Sequence, residues 1–346
     1  MRRRTVIASL TTAVAGALAG CATQPTAEPP LPGEMPPPSA AASPSPSPSA
    51  APTPTATNGA SPYSSTKRST LAPQTPVPVA VPPGTAPATA FAVGTRTIEH
   101  WRTPDRRLPL TVWYPATRDG DGAPVAEGRF PLVVFSHGLT SQPQAYSVLI
   151  LPWVRAGFVV AGAAYPYTSY GVEDYRPIDI VNQPADVSFL ISEMIKLDTA
   201  AGDPLAGKLA VDRIAAAGHS GGGITTVGLF SGQRDTRLKA GVVLAGTDLL
   251  SAPFSGDPAP MLFVHGKKDR TVAYAAGRTV YRAVPWSRAM LSITNGGHLN
   301  NGGDFDAVAL TTTDFLRWSL YGDTAARARL AKDAATGGVA TFDDEL

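Results

Sequence analysis

The chain has 346 residues, with 29 Lys and Arg against 27 Asp and Glu and a formal charge of +2. That balance leaves no basic surplus to hold nucleic acid. A single cysteine excludes an internal disulfide framework, so any folded part rests on its own core.

The chain opens on Met1-Arg2-Arg3-Arg4 and an uncharged apolar run from 6 to 20. A basic n-region before a short apolar stretch reads as an export signal, too short for a dependable membrane span. Arg3-Arg4-Thr5-Val6-Ile7 also fits a twin-arginine export pattern loosely. The signal ends in Leu18-Ala19-Gly20-Cys21, which resembles the bacterial lipobox. That resemblance implies lipidation of Cys21, anchoring at the outer face of a bacterial cell membrane, and several acyl chains for stable attachment. Loss of Arg2, Arg3 and Arg4 with the signal lowers the formal charge to about −1.

Residues 22–87 are dominated by Pro, Ser, Ala and Thr, including Ser43-Pro44-Ser45-Pro46-Ser47-Pro48. Such a stretch has too little apolar surface to offset the entropy of ordering and reads as an extended tether. The expected organisation is therefore a signal at 1–20, a lipid-anchored linker at 21–88, a catalytic domain at 89–335 and a C-terminal tail at 336–346.

Within the domain, residues 95–101 and 108–114 alternate as early antiparallel strands across a turn at 104–107. Residues 130–135 are continuously apolar, as expected of a strand buried on both faces of a parallel sheet. A helix at 145–155 and a strand at 157–164 follow. Val187, Leu190, Ile191, Met194 and Ile195 recur at the spacing of an amphipathic helix. Strands are then predicted at 211–216, 240–245, 260–265 and 289–293, with helices at 224–229, 273–282 and 304–320. Strands alternating with helices define an α/β class, a doubly wound and mostly parallel sheet, and the length suits one domain.

The stretch Ala217-Gly218-His219-Ser220-Gly221-Gly222-Gly223 sits between the strand at 211–216 and the helix at 224–229. Strand, Gly-x-Ser-x-Gly and helix together make a nucleophile elbow, with helix N–H groups where an oxyanion would form. Ser220 is thus the candidate nucleophile. A hydroxyl needs a general base and an orienter for it. Downstream lie only His265, at a buried strand end, and His298, in a glycine-rich loop after the last parallel strand. His298 is the expected base. Asp269, in Val264-His265-Gly266-Lys267-Lys268-Asp269, is the favoured acid, with Asp248 after the preceding strand as the alternative. The oxyanion hole is expected from the main-chain N–H groups of Gly221 and Leu139. His137 and His219 are expected to be structural, with local hydrogen bonds. No histidine pair has a metal-ligand spacing, so no metal or other cofactor is implied.

These segments resemble the branch of the α/β-hydrolase superfamily that includes platelet-activating-factor acetylhydrolases, chlorophyllases, dienelactone-hydrolase-like proteins and cutinase-type polyesterases. The residues that carry the resemblance are Val112-Trp113-Tyr114-Pro115-Ala116, 130–138, 217–223, 264–269, His298 and Asp314-Phe315-Leu316-Arg317-Trp318. It spans roughly 93–323 and implies a serine esterase. Three positions depart from the polyesterase pattern, which usually has an aromatic at Leu139, a methionine or similar residue at Gly221, and a tryptophan near Thr247. The short stretch between the strands at 240–245 and 260–265 leaves no room for a helical lid. Tyr165, Tyr167 and Tyr170 either line the cleft or pack their loop.

The expectation is a secreted, membrane-anchored, monomeric serine hydrolase that cleaves carboxylic esters through an acyl-enzyme. The alternatives are an acyltransferase with the same triad and a non-catalytic anchored binding protein on a hydrolase scaffold. The expected partners are a small-molecule, lipid or polymeric ester and the anchoring membrane, with no nucleic acid. Replacing each carboxylate separately decides the acid. Asp269→Asn is expected to lower ester turnover by about ten-thousand-fold, with Asp248→Asn remaining within a few-fold of the parent. The reverse pattern would assign the acid to Asp248.

Overall fold

The computed structural model describes residues 75–249, 252–298 and 304–346. The signal, Cys21 and the proline-rich arm through residue 74 lie outside the described residues. Ten strands form one sheet in the order β10-β9-β8-β7-β6-β4-β5-β2-β1-β3. The strands are β1 (Ala92–Thr103), β2 (Arg106–Ala116), β3 (Gly120–Asp121), β4 (Phe130–Ser136), β5 (Val159–Ala163), β6 (Leu209–His219), β7 (Leu238–Leu244), β8 (Met261–Gly266), β9 (Arg288–Ile293) and β10 (Ala340–Glu345). From β5 to β9 the strands run parallel. β2 pairs antiparallel with β5, β1 with β2, and β10 with β9. This is the α/β-hydrolase fold, as the alternation of apolar runs and helical stripes predicts.

The helices divide between the two faces. Helices α2 (Gln183–Leu197), α3 (Gly221–Phe230) and α4 (Tyr274–Ala283) cover one; α1 (Ser147–Arg155), α5 (Phe305–Leu316) and α6 (Thr324–Ala334) cover the other. β4 shows why its sequence is apolar throughout. Phe130, Leu132 and Val134 join the core under α2, while Val133 and Phe135 join the core under α1. The stripe of Val187, Leu190, Ile191 and Met194 is fully buried, as its spacing requires.

The sheet order reverses at β4. β5 lies on one side of it and β6 on the other. Loops leaving the carboxyl ends of β4 and β6 therefore diverge and open a crevice between them, the usual ligand position in open α/β sheets. The loop at 137–141 and Ser220 occupy those two ends.

Three features differ from the sequence expectation. Residues 75–88, assigned by composition to the linker, already lie on the domain. Val77 N–H donates to Pro285 O, Ser287 N–H donates to Val77 O, and Pro87 O accepts from Arg317. Residues 324–334 form helix α6, capped by Asp323, whose side chain accepts from Ala326 N–H. Residues 340–345, assigned to a tail, form the edge strand β10. Its acidic sequence masks the strand because each carboxylate has an arginine elsewhere: Arg278 for Asp343, Arg327 for Asp344 and Arg288 for Glu345. A charged edge also discourages pairing with other chains.

A buried ion cluster fixes the segment before α2. Arg106, 5% exposed, forms paired hydrogen bonds to Asp179 at 2.8 and 2.9 Å and also binds Asp186, which Arg102 reaches at 2.6 Å. Asp179 sits in the 3-10 turn Pro177–Asn182, so this cluster sets where that turn lies. Arg106→Met would leave Asp179 and part of Asp186 buried without their cation. It is expected to cost roughly 3 kcal/mol or more in urea unfolding at neutral pH. A loss below about 1 kcal/mol would show that the cluster is not holding the turn.

Candidate active site

Ser220 stands between β6 and α3 with φ 55° and ψ −116°, outside the regions open to ordinary L residues. The strain follows from a close crossing. The first turn of α3 lies so near β4 that a Cβ on Gly222 would stand 1.9 Å from Ser136 O. Only glycine fits there, and the chain must turn within one residue between β6 and α3. The Ser220 N–H donates to Leu244 O at 2.9 Å, which ties the turn to β7.

The structure brings Ser220, His298 and Asp269 together. His298 Nε2 lies 2.8 Å from Ser220 Oγ, and His298 Nδ1 lies 2.8 Å from Asp269 Oδ2. A carboxylate only accepts, so Nδ1 carries the proton and the Nε2 lone pair faces the hydroxyl. The other Asp269 oxygen accepts the N–H groups of Thr271 and Val272 at 2.8 and 2.9 Å. Burial of this carboxyl acts to raise its pKa, but the donors from His298, Val272 and Thr271 outweigh it and hold the group below the usual carboxylate range.

The carboxylate that His298 meets is Asp269, not Asp248. Both ring nitrogens of His298 are taken by Ser220 and Asp269. Asp248 lines a small pocket with Ile180, Val181, Pro184, Ile224 and Leu249. Ile224 is one helical turn beyond Ser220, its N–H donating to Ser220 O at 3.0 Å. The pocket wall thus holds Asp248 together with a residue one helical turn from Ser220.

Leu139 and Gly221 also meet. The place a Cβ on Gly221 would take is 3.5 Å from Leu139 N, 3.4 Å from Leu139 Cγ and 3.2 Å from Ile180 Cδ1. Among the described residues neither main-chain N–H has an acceptor. Two unmatched donors beside a serine hydroxyl can bind a developing oxyanion. The space a larger residue at 221 would fill is occupied by Ile180, which the Arg106–Asp179 pair holds in place.

The loop at 137–141 is braced on its far side. Thr140 N–H donates to Thr168 O, and Tyr170 N–H donates to Ser141 O. His137 donates from Nδ1 to Gly138 O at 2.7 Å and accepts at Nε2 from Tyr165 N–H and the Ser169 hydroxyl. His219 reaches further than the local role expected of it. Its Nε2–H donates to His298 O at 2.7 Å, and its Nδ1 accepts from the Tyr146 hydroxyl at 3.0 Å. Tyr146 in turn accepts from Gly138 N–H at 3.1 Å. A hydrogen-bond chain therefore joins the loop at 137–141 to the main chain of His298. Nothing periodic in the sequence marks Tyr146, Ile180 or this chain, because the contacts span loops distant in sequence.

Segments next to the site carry exposed apolar side chains: Tyr170, whose N–H donates to Ser141 O, is 74% exposed, Ile178 in the Pro177–Asn182 turn 68%, and Leu249 in the pocket wall 46%. No helix is present among the described residues between β7 and β8. No helix among the described residues is long and apolar enough to cross a membrane.

Comparison with protein families supplies a match over the middle of the chain. Residues 122–252 match the family model described as Chlorophyllase, a family of the α/β-hydrolase type. The matched stretch includes β4, the loop at 137–141, β6, Ser220, α3 and β7. It stops before Asp269 and His298. A search of curated proteins finds no match.

Burial pushes both His137 and His219 down to about 4 from 6.5, so both are neutral in the folded protein at neutral pH. The unfolded chain binds protons at these rings first. Their contribution is complete above pH 6.5 and is lost as the pH falls toward 4, by up to roughly 3 kcal/mol per ring. Urea midpoints measured against pH are expected to be level above neutrality and to fall steeply through that window. Midpoints that stay level through it would contradict two neutral buried rings.

Proposed function

We propose that this chain is a serine hydrolase that cleaves carboxylic esters through an acyl-enzyme. The observation that carries the reading is the unbroken hydrogen-bond chain Ser220–His298–Asp269, with Ser220 held in a strained turn beside two open N–H groups. In this reading Ser220 Oγ attacks the ester carbonyl as its proton passes to His298 Nε2. Asp269 fixes the tautomer of His298 and stabilises the imidazolium that forms. The Leu139 and Gly221 N–H groups hold the tetrahedral oxyanion. Collapse expels the alcohol, which takes the proton from His298, and a water repeats the sequence to release the acid.

The similarity to the Chlorophyllase family supports ester chemistry on this fold. The exposed apolar side chains Tyr170, Ile178 and Leu249 on segments next to the site favour an ester with an apolar arm. The export signal and the lipobox-like Leu18-Ala19-Gly20-Cys21 support placement outside the cytoplasm on a lipidated Cys21. A fluorophosphonate probe is expected to label the protein at a single serine. Ser220→Ala should abolish that labelling and lower p-nitrophenyl ester turnover by about ten-thousand-fold. Labelling that survives the substitution would overturn the assignment.

A further inference from the structure

His265 is the penultimate residue of β8, is 1% exposed, and takes no part in the steps above. Its Nε2 lies 2.9 Å from Val272 O and 3.2 Å from Asp269 Oδ2. Both are acceptors, so Nε2 carries a proton shared between them. Burial pushes this histidine below its ordinary value, which keeps the ring neutral despite the neighbouring carboxylate. Asp269 Oδ2 is the same oxygen that accepts from His298 Nδ1. One carboxylate oxygen is thus held between two imidazoles.

The fold makes room for the second ring. Gly277 in α4 packs against its other edge, and a Cβ there would fall 2.3 Å from His265 Nδ1. Tyr274, one turn earlier in α4, meets the ring edge-on at 5.8 Å. A glycine inside a helix costs about 1 kcal/mol relative to alanine, so its presence here needs a packing reason, and the His265 ring is that reason.

We propose that His265 is a positioning residue for Asp269, holding Oδ2 in line with His298 and drawing off part of the charge that Asp269 presents to it. The inference rests on Asp269 being the orienting acid of an esterase. The charged and titratable groups facing this pair are few. Asp269 meets His298, His265 and the N–H groups of Thr271 and Val272. His298 meets Asp269, Ser220 and the neutral ring of His219, whose centroid is 4.8 Å away. Lys267, Lys268 and Arg270 on the acid loop are exposed.

Without the His265 donor, Oδ2 becomes a stronger acceptor for His298 Nδ1–H, and the His298 imidazolium is favoured. The acid limb of kcat/KM therefore moves to higher pH. The test is that limb, measured with a p-nitrophenyl ester, in the parent, His265→Leu, His265→Gln and Gly277→Ala. His265→Leu is expected to raise it by about half a unit to one unit, the equivalent of one hydrogen bond. A kcat loss of about ten-fold or more is expected with KM nearly unchanged, as for lost support of a catalytic group. His265→Gln keeps an N–H near the Nε2 position and is expected to hold the limb close to the parent. Gly277→Ala touches neither Asp269 nor His298, so a merely structural glycine predicts lost stability from the crowded Cβ with the acid limb unmoved. Displacement of the ring predicts a shift in the same direction as His265→Leu. If His265→Leu does not fold, Gly277→Ala and His265→Gln still decide the matter. An unshifted limb in folded Gly277→Ala, with Ser220 still labelled by fluorophosphonate, would overturn this inference alone. Absence of labelling in the parent would overturn the esterase reading beneath it.

Discussion

The first turn of α3 lies against the end of β4 with no space for a methyl group between Gly222 and the Ser136 carbonyl. Much of the site follows from that contact. It forces the turn at Ser220 into a single strained residue, so the hydroxyl projects from the sheet edge instead of packing along the helix. It also draws the α3 N-terminus up to the loop leaving β4, which sets Gly221 beside Leu139. Strain of this kind costs about 1–3 kcal/mol and persists only where neighbours over-determine it. Here they do, through β7, α3 and the buried strands on either side.

Four of the five histidines gather around this turn, and they do not share one task. His137 braces the loop at 137–141, His219 ties that loop to the main chain of His298, and His265 touches the carboxylate behind it. Burial lowers the affinity of all three for a proton. That leaves charge in the site concentrated on Asp269 and on whatever His298 takes up. Neutral rings provide directional hydrogen bonds without repelling a nearby imidazolium, which a lysine or arginine in the same places would do.

The sheet was legible from the sequence because its central strands are buried on both faces and so read as unbroken apolar runs. The elbow was legible for a related reason: Gly218, Ser220 and Gly222 are local in sequence, and their spacing carries the turn. Bringing Asp269 and His298 to Ser220 required only their places after successive strands. What could not be read is what loops do to each other. Ile180 reaches Gly221 because Arg106 in β2 holds Asp179, an arrangement spanning distant segments with no period to betray it. β10 was hidden because its acidic residues look like a solvated tail until the arginines of β9, α4 and α6 are placed beside them. Composition likewise drew the linker past residue 75, since proline content says nothing about whether a segment finds a groove.

That last segment has a mechanical consequence. Val77 pairs beside Trp286 and Ser287, immediately before β9 begins, whereas His298 lies just past the end of β9 and Ser220 past the end of β6. The chain therefore enters the folded unit at the edge opposite its chemistry. A pull on residue 75 is first resisted by the Val77 hydrogen bonds and then by Arg317 at Pro87, none of which belongs to the linked groups at Ser220. A load applied at residue 75 and the groups around Ser220 thus sit at opposite ends of the parallel strands, so tension there would not pass through the crevice.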